Sequence, residues 1–266
     1  MPSSILQKIL DGKSSEIAEL KKRFSEEDIR AAAFAAPPAR SFMSALGRGE
    51  KPRVIAEVKK ASPSQGVLRE DFDPVLTATQ YERGGAAAVS VLTDKRFFQG
   101  DIKYLSGVRE AVSVPVLRKD FLTDPCQIYE SRAAGADAVL LIVAAMKGAG
   151  QLADLIDLSR SLEMEPLVEV HNEEEVELAL RADASVIGVN NRDLGSFEVD
   201  LSTSARLAPL IGKDKVVVAE SGITSPDDMT CLAQEGIFCF LIGESLIREP
   251  DPGAALSGLI KEWRKQ

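Results

Sequence analysis

The sequence predicts a single (β/α)8 barrel, a TIM barrel, preceded by an N-terminal helical extension. Three observations support it: eight short apolar runs, amphipathic segments between them, and a spacing of roughly 20 to 30 residues between successive runs. The runs are VIAEV from 54, AAVSVL from 87, VPVL from 114, AVLLIV from 138, PLVEV from 166, SVIGV from 185, VVVA from 216 and FCFLI from 238. Their continuous apolarity is typical of parallel strands covered on both faces.

An open, doubly wound sheet fits this pattern less well. Such sheets usually have fewer strands and carry a GxGxxG motif after the first strand, and no such motif follows the first run here. A chain of 266 residues also has the length that closed α/β barrels commonly use for one domain. We therefore expect residues 49–266 to form one catalytic barrel domain.

The first 48 residues have a different pattern. Ile5, Leu6, Ile9 and Leu10 are spaced for one face of a helix, and the helical pattern ends at a Pro-Pro pair at 37–38. We expect residues 1–48 to form a helical extension that packs on the barrel.

The charge balance excludes some classes of partner. Lys and Arg total 32 against 41 Asp and Glu, and the net charge of -9 predicts no nucleic-acid partner and no anionic membrane surface. A small phosphorylated substrate remains compatible, because a local pair of cations or backbone amides can hold a phosphate. The absence of CxxC spacing favours a reducing compartment, and no apolar run approaches the roughly 20 residues of a membrane span. These features predict a cytoplasmic protein.

Polar residues end most of the apolar runs. In a (β/α)8 barrel the active site lies at the C-terminal ends of the strands, and one polar residue there can simply meet water. The residues in question are Glu57, Lys59, Thr93, Asp94, Lys119, Asp120, Glu169, Asn190, Asn191, Arg192, Glu220 and Ser221, with Gly243 ending the last strand. Placing so many charged side chains at one barrel mouth costs desolvation free energy unless the charges pair with one another or bind a ligand. Alternating lysines and glutamates suit proton transfer on an anionic substrate.

The first strand raises a specific question about burial. By alternation Ile55, Glu57 and Lys59 share its inner face. Because both charges stand at the C-terminal mouth, we expect neither to be fully buried. In the SPSQG segment that follows, Ser62 is the residue best placed to reach a ligand.

Two glycine motifs predict a phosphate site. AESGI at 219–223 and IGESL at 242–246 follow the last two strands, where barrels often bind phosphate with backbone amides and a short extra helix. Ser221 and Ser245 add hydroxyl groups. Either motif alone could be an ordinary turn.

The single histidine and the phenylalanines carry weaker predictions. His171 follows Glu169 by two residues, which indicates a loop position or a role behind that carboxylate. One histidine argues against a histidine metal cluster and a Ser-His-Asp triad, so we predict no metal. Three phenylalanines follow the second and third strands: Phe97, Phe98 and Phe121. Such residues usually pack in the protein interior, but at these positions they could line the binding site of an aromatic substrate.

Seven motifs together resemble a known family. AEVKKASPSQG, SVLTDKRFFQGD, VPVLRKDF, LVEVH, IGVNNRDL, AESGI and FLIGESL, in this order, are similar to indole-3-glycerol phosphate synthase of tryptophan biosynthesis. The resemblance spans about residues 50–250, and the extension resembles the helical segment that precedes the barrel in that family. It implies a cofactor-free carboxy-lyase. The substrate would be 1-(2-carboxyphenylamino)-1-deoxy-D-ribulose 5-phosphate, and the products would be indole-3-glycerol phosphate, CO2 and water.

The resemblance also implies roles for the strand-end residues. Lys119 matches the general acid, and Glu169 matches the general base of the last step. Lys59 matches the lysine that holds the substrate carboxylate, with proton delivery during dehydration as a second role. Glu57 would pair with the lysines. Asn190 and Glu220 match polar contacts around the hydroxyl and the ring nitrogen, and we count both among the catalytic residues together with Ser221.

Binding residues follow by the same motif matching. The residues implied to contact substrate or phosphate are Ser62, Arg192, Ser221, Gly222 and Gly243, with Phe97 and Phe121 flanking the anthranilate ring. At Glu244 some relatives have serine, so its contact would use the backbone amide. Alternation points Arg118 toward the helix layer, where it needs a partner.

Other functions compatible with a phosphate-binding barrel remain as alternatives. Phosphoribosylanthranilate isomerase usually has a cysteine base after strand 1 and an aspartate acid after strand 6, where this chain has Lys59 and Asn190. A class I aldolase would form a Schiff base with a lysine. A non-catalytic phosphate-binding barrel should have gaps among the charged positions, and none is seen. Other enzymes of the tryptophan pathway are candidate partners.

Overall fold

Eight parallel strands close into a barrel. The structure is a computed structural model that describes residues 5–47, 49–193, 195 and 197–265. The strands are β1 (Arg53–Val58), β2 (Ala61–Ser62), β3 (Gly66–Val67), β4 (Ala88–Leu92), β5 (Val116–Lys119), β6 (Ala138–Ile142), β7 (Glu165–Val170), β8 (Val186–Asn190), β9 (Val216–Glu220) and β10 (Cys239–Ile242). β1 pairs with β10 on one side and β4 on the other, so the sheet β1-β10-β9-β8-β7-β6-β5-β4 is closed. All eight apolar runs are barrel strands, and the predicted (β/α)8 barrel is confirmed.

Helices surround the barrel and precede it. They are α1 (Ile5–Arg23), α2 (Glu26–Ala35), α3 (Phe42–Leu46), α4 (Pro74–Gly84), α5 (Lys95–Phe98), α6 (Ile102–Ala111), α7 (Pro125–Ala133), α8 (Ala149–Ser161), α9 (Glu173–Arg181), α10 (Ser202–Ile211), α11 (Pro226–Gln234), α12 (Glu244–Ile247) and α13 (Pro252–Trp263). Several start at side chains that accept hydrogen bonds from the first turn, such as Asp124 and Ser225, each in a capping box. None of the helices in these ranges is long and apolar enough to cross a membrane.

Strand alternation divides the core into two layers. Outward residues such as Val89 and Val139 join the cluster between barrel and helices, whereas inward residues such as Ile55, Leu117 and Leu140 fill the barrel interior. Both faces of each strand are therefore apolar, which explains why the runs are continuous in the sequence.

The helices before the barrel contact it at both ends. Phe42 and Leu46 of α3 are buried in the interior cluster, and the Cys239 thiol at the start of β10 contacts the Leu46 carbonyl. At the opposite end, α1 buries Ile9 and Lys13. α1 therefore covers part of the C-terminal mouth, and α3 closes the N-terminal end.

A short hairpin follows β1 and was not predicted. β2 and β3 pair antiparallel through Ala61 with Val67 and Ser62 with Gly66. The SPSQG segment therefore forms a turn at the barrel mouth, where Ser62 Oγ accepts a hydrogen bond from the Gln65 amide at 3.3 Å.

Arg118 points into the helix layer, as alternation predicts, and its partners are now defined. Its guanidinium contacts Glu130 of α7 at 2.9 Å, Asp120 at 3.2 Å and Thr93 Oγ1 at 3.0 Å. It also donates to Ser131 Oγ at 3.0 Å. This side chain therefore joins β5 to α7 beneath the mouth.

Candidate active site

A cavity of about 420 Å³ opens at the C-terminal mouth of the barrel. Its wall combines strand ends with Ile5, Leu6 and Ile9 of α1. Of the residues predicted for the site, those in the wall are Glu57, Lys59, Ser62, Phe98, Lys119, Asp120, Phe121, Glu169, Asn190, Arg192, Glu220, Ser221, Gly222, Gly243, Glu244 and Ser245. Closure of the barrel therefore brings together side chains from the first and last strands of the chain.

Two of the three phenylalanines considered for the site, Phe98 and Phe121, lie in the cavity wall, whereas Phe97, which the resemblance implied, does not line it. Phe98 lies in the wall and its ring centroid is 6.2 Å from that of Phe121. Phe97 is not among the lining residues, and the Arg96 guanidinium stacks on its ring at 5.4 Å. The short helix α5 turns successive side chains by about 100°. Phe98, not Phe97, is thus the partner of Phe121 in the cavity.

Lys119 occupies the centre of the charged residues. Its Nζ lies 3.4 Å from Glu169 Oε2 and 3.4 Å from Glu220 Oε2. Burial opposes the ammonium charge, but Glu169, Glu220 and Glu57 outweigh burial and raise the pKa of Lys119 above its ordinary value. The residue is a protonated acid held between carboxylates.

Glu57 pairs with Lys59 on the inner face of β1. Only 4 % of Glu57 is exposed, so the prediction that neither charge is fully buried was wrong for this residue. The side chain of Lys59 retains 15 % exposure. Burial opposes ionisation of Glu57, yet Lys59 and Lys119 lower its pKa below the ordinary value. A buried carboxylate is tolerated here because it has cations beside it.

Glu169 and Glu220 have opposite pKa shifts around the same lysine. Burial raises the pKa of Glu220 to about 8, because Lys119 only partly offsets burial and the negative charges of Glu169 and Glu57 add to it. For Glu169 burial is outweighed by Lys119, His171 and Asn190, and its pKa is lowered. Two neighbouring carboxyls with separated pKa values can serve as a base and an acid.

Two glycines make room for these carboxylates. A Cβ on Gly188 in β8 would overlap Glu220 Oε1, and one on Gly243 would overlap Glu57 Oε2. The sequence does not predict this steric role for either glycine, because each clash would arise between residues of neighbouring strands. Gly188 therefore has a definite part in setting the position of Glu220.

Replacing Gly188 by alanine should impair turnover without unfolding the barrel. The added methyl group pushes Glu220 away from Lys119, and displacement of a catalytic group by about 1 Å can cost on the order of 100-fold in kcat. The measurement is kcat together with the thermal midpoint. Gly258→Ala is the matched control, because a Cβ there meets no atom within 4 Å. Unchanged kcat in Gly188→Ala would contradict this role.

Asn190 links the carboxylates to the part of the cavity wall that follows β9. Its Nδ2 donates to Glu169 Oε1 at 3.2 Å, and its Oδ1 accepts from Ser221 Oγ at 2.8 Å. Ser221 has a φ of 66°, and Gly222 follows with a φ of 80°. A φ in this region is common for glycine and uncommon for serine, so the chain turns sharply after β9 at a position that Ser221 adopts at some cost.

The rim formed by β8, β9 and β10 has the other polar groups. The short helix α12 begins at Glu244, as expected for a phosphate site after the last strand. The Glu244 carboxylate lies 3.7 Å from Arg192 and 3.3 Å from Arg248. Ser245 donates its hydroxyl to the Ile223 carbonyl at 3.2 Å. Arg248 lines the cavity and was missed, because no motif marks it.

Lys13 was also missed, and it joins α1 to the site. Its Nζ lies 2.8 Å from Asp94 and 2.8 Å from Asp120, and the side chain is 2 % exposed. Its spacing could have predicted this contact. Lys13 follows Ile5 and Ile9 at four-residue steps and therefore lies on the same face of the helix. A cation on an apolar stripe indicates a buried partner.

His171 lies beside Glu169 and is not part of the cavity wall. Its Nε2 is 3.4 Å from Glu169 Oε1, and its Nδ1 is 3.0 Å from Glu175 Oε2. Within the described residues, no group of three or more His, Cys, Asp or Glu side chains is arranged to hold a metal ion.

The fold and these residues define a class. A closed (β/α)8 barrel with two lysines and three glutamates at its C-terminal mouth, beside a rim that contains Gly222 and Gly243, belongs to the class of barrels built for acid-base chemistry. Comparison with known proteins then identifies the member of that class. The family model described as indole-3-glycerol phosphate synthase matches residues 6–259, and the chain belongs to this family.

Curated relatives agree over nearly the whole length. Indole-3-glycerol phosphate synthase of Acidovorax sp. (strain JS42) is 49 % identical over 97 % of this chain and 99 % of its own. That of Azoarcus sp. (strain BH72) is 48 % identical with the same coverage, and that of Acidithiobacillus ferrooxidans (strain ATCC 53993 / BNL-5-31) is 46 % identical over 97 % and 98 %. The predicted decarboxylating lyase of tryptophan biosynthesis is confirmed, and the alternatives gain no support. A phosphorylated small-molecule substrate is consistent with this family.

A solved structure supports the fold alone. The crystal structure of KGPDC from Streptococcus mutans has a TM-score of 0.63 and covers 80 % of this chain and 98 % of its own. Its sequence identity is 13 %, so it carries no argument about substrate.

Proposed function

We propose that this protein converts 1-(2-carboxyphenylamino)-1-deoxy-D-ribulose 5-phosphate to indole-3-glycerol phosphate, CO2 and water, with Lys119 as general acid and Glu169 as general base. The observation that carries these roles is the position of Lys119 Nζ, 3.4 Å from both Glu169 and Glu220 in the cavity wall. One group that holds a proton and one that accepts a proton thus stand side by side.

The first step requires an acid. The aromatic carbon that carries the carboxylate attacks the ketone carbon, and the ketone oxygen gains negative charge as the new bond forms. Lys119 donates its proton to that oxygen. Its raised pKa keeps the ammonium protonated until the substrate oxygen becomes the better base.

Lys59 holds the substrate carboxylate until it leaves as CO2. Its ammonium pairs with Glu57, so binding exchanges part of that ion pair for the substrate's own carboxylate. Phe98 and Phe121 pack on the anthranilate ring. In the dehydration step the departing hydroxyl takes a proton, and Lys59 is the nearby cation that we assign to deliver it.

Glu169 accepts the proton that the new five-membered ring loses when water departs and the ring double bond forms. The lowered pKa of Glu169 leaves it ionised, which a base requires. Asn190 and Ser221 form a hydrogen-bonded chain from Glu169 toward the rim, and we assign them contacts to the substrate hydroxyls. Glu220, with its pKa raised to about 8, is the carboxyl that we place near the ring nitrogen.

The phosphate binds at the rim. Arg192 supplies a cation, the amides of Gly222, Gly243 and Glu244 supply backbone donors, and Ser62 reaches over from the hairpin. Gly222 is suited to the contact because a Cβ there would overlap Val199.

We extend the proposal to organisation and location. Residues 1–48 act as a helical extension packed on the catalytic barrel of residues 49–266. Contacts of α1 with the cavity and of α3 with the interior cluster support this division. The protein acts in the cytoplasm, and other enzymes of the tryptophan pathway are its candidate partners.

Incubation of the purified protein with the carboxyphenylamino-deoxyribulose phosphate tests the activity. We expect indole fluorescence to appear in the presence of EDTA and without an added cofactor, because the assigned steps need only side-chain acids and bases. A sample without protein is the control. Lack of product under these conditions would overturn the proposal.

A further inference from the structure

His171 is buried beside the proposed base but is outside the cavity wall. Its side chain is 13 % exposed, and Nε2 lies 3.4 Å from Glu169 Oε1. Within the described residues Nε2 has no hydrogen-bond partner of ordinary geometry. The imidazole Nε2 therefore lies next to Glu169, whose side chain lines the cavity while His171 does not.

The start of α9 fixes the other side of the ring. Glu175 Oε2 lies 3.0 Å from His171 Nδ1 and accepts the His171 backbone amide at 2.8 Å. Its Oε1 accepts from Asn172 Nδ2 at 3.1 Å. Because Glu175 accepts at Nδ1, the ring presents a hydrogen at that nitrogen, and a second proton at Nε2 makes it an imidazolium between two carboxylates.

The reaction itself shows why Glu169 needs this partner. At rest Lys119 supplies positive charge 3.4 Å from Glu169. After Lys119 has given its proton to the substrate, that charge is gone, and a carboxylate that is only 2 % exposed would tend to take up a proton. A second cation beside Glu169 would keep its carboxylate ionised after Lys119 has lost its charge.

We infer that His171 is a positioning residue that fixes the Glu169 carboxylate and preserves its negative charge after Lys119 has donated its proton. This inference rests on the base role proposed for Glu169. Charges face the pair from several elements: Glu175 from α9, Lys119 from β5, Glu220 from β9 and Glu57 from β1. Burial opposes the charge on His171, but Glu169 and Glu175 outweigh burial and raise its pKa to about 10.

The first test needs no turnover. His171 is the single histidine of the chain, so its 15N imidazole signals can be followed through a pH titration without assignment. We expect Glu169→Gln to lower the pKa of His171 by about one unit or more, because a neutral amide no longer stabilises the imidazolium. An unchanged pKa would overturn the inference.

The second test is kinetic. In His171→Asn, which can donate a hydrogen bond but has no charge, kcat should fall by about 10-fold or more while KM stays within about threefold. Glu169 must be ionised to act, and its pKa should rise without the imidazolium. The fall of kcat on acidification should therefore begin at a higher pH than in wild type.

Ser25→Ala is the matched control for stability. It removes the side chain that caps α2, where Ser25 Oγ accepts the Asp28 amide at 3.1 Å, and Ser25 lies outside the cavity wall. Its pH profile should match that of wild type. If His171→Asn instead loses thermal stability with no change in its pH profile, His171 is structural and the inference fails.

Failure of the proposed function would be recognised separately. A wild-type protein that makes no indole product would contradict the activity, yet the NMR titration would still show whether Glu169 and His171 are coupled. Full turnover in Glu169→Gln would remove the base role, and with it the role inferred for His171.

Discussion

Lys119→Ala is expected to abolish measurable turnover while leaving substrate binding largely intact. The change removes the proton donor for the ketone oxygen, and loss of a general acid typically costs about 100-fold to 10,000-fold in rate. It also leaves the negative charges around Glu169 and Glu220 without the lysine that lies 3.4 Å from each. Steady-state rates from product fluorescence and a binding titration with substrate measure the two effects separately.

Lys119→Arg separates charge from proton donation. A guanidinium keeps the positive charge between the carboxylates but does not release a proton at neutral pH. We expect this variant to remain folded and nearly inactive. Lys103→Ala, at an exposed position of α6, is the control for loss of a lysine and should keep normal turnover. Retained turnover in Lys119→Ala would remove Lys119 from the mechanism.

The strands were readable from sequence because each is covered on both faces. β6 reads AVLLI and is buried at every position, so its apolarity is continuous, and the apolar run extends one residue beyond it to Val143. The hairpin β2–β3 was not readable for the opposite reason. Its strands have two residues each, and the glycine and valine of β3 are exposed, so no hydrophobic pattern develops.

The charged centre was predictable because barrel geometry sends every strand end to one mouth. The polar residues that end the apolar runs then included Glu57, Lys119, Glu169 and Glu220, without knowledge of any distance. The degree of burial was not predictable in the same way. Whether Glu57 is exposed depends on Lys59 and on the lack of a side chain at Gly243, and this glycine follows the last strand of the barrel, far from Glu57 in the chain.

Residues outside the strand ends were harder to predict. Phe97 and Phe98 are adjacent in the sequence, and only the orientation of α5 decides which one reaches the cavity. Gly188 makes room for Glu220 from a neighbouring strand, a contact that a single sequence does not display. His171 was expected in a loop or next to Glu169 because it follows that residue by two positions, but its second partner, Glu175, was not expected.

The contact of α1 with the barrel has a testable energetic consequence. Lys13→Met should destabilise the protein by about 3–5 kcal/mol, because it leaves the carboxylates of Asp94 and Asp120 buried without their shared cation. Methionine keeps the length and apolar stem of lysine, so little packing is lost. Urea unfolding monitored by circular dichroism measures the change as a lower midpoint at unchanged slope.

Lys21→Met provides a matched control on the same helix. Lys21 also pairs with an aspartate across the interface, Asp124 at 2.6 Å, but its side chain is 53 % exposed. Exposed ion pairs are screened by water and contribute about 1 kcal/mol or less. A cost for Lys13→Met as small as that for Lys21→Met would contradict the view that Lys13 is buried between its partners.

The pH dependence of the Lys13→Met effect gives a further check with a definite sign. Burial opposes ionisation of Asp120, but Arg118 and Lys13 outweigh burial and hold its pKa below the ordinary value. That stabilisation is present above the unfolded pKa of about 3.9 and is lost as pH falls through the folded pKa. The difference between wild type and Lys13→Met should therefore be full at neutral pH and shrink in acid. Since α1 supplies Ile5, Leu6 and Ile9 to the cavity wall, turnover should fall together with stability.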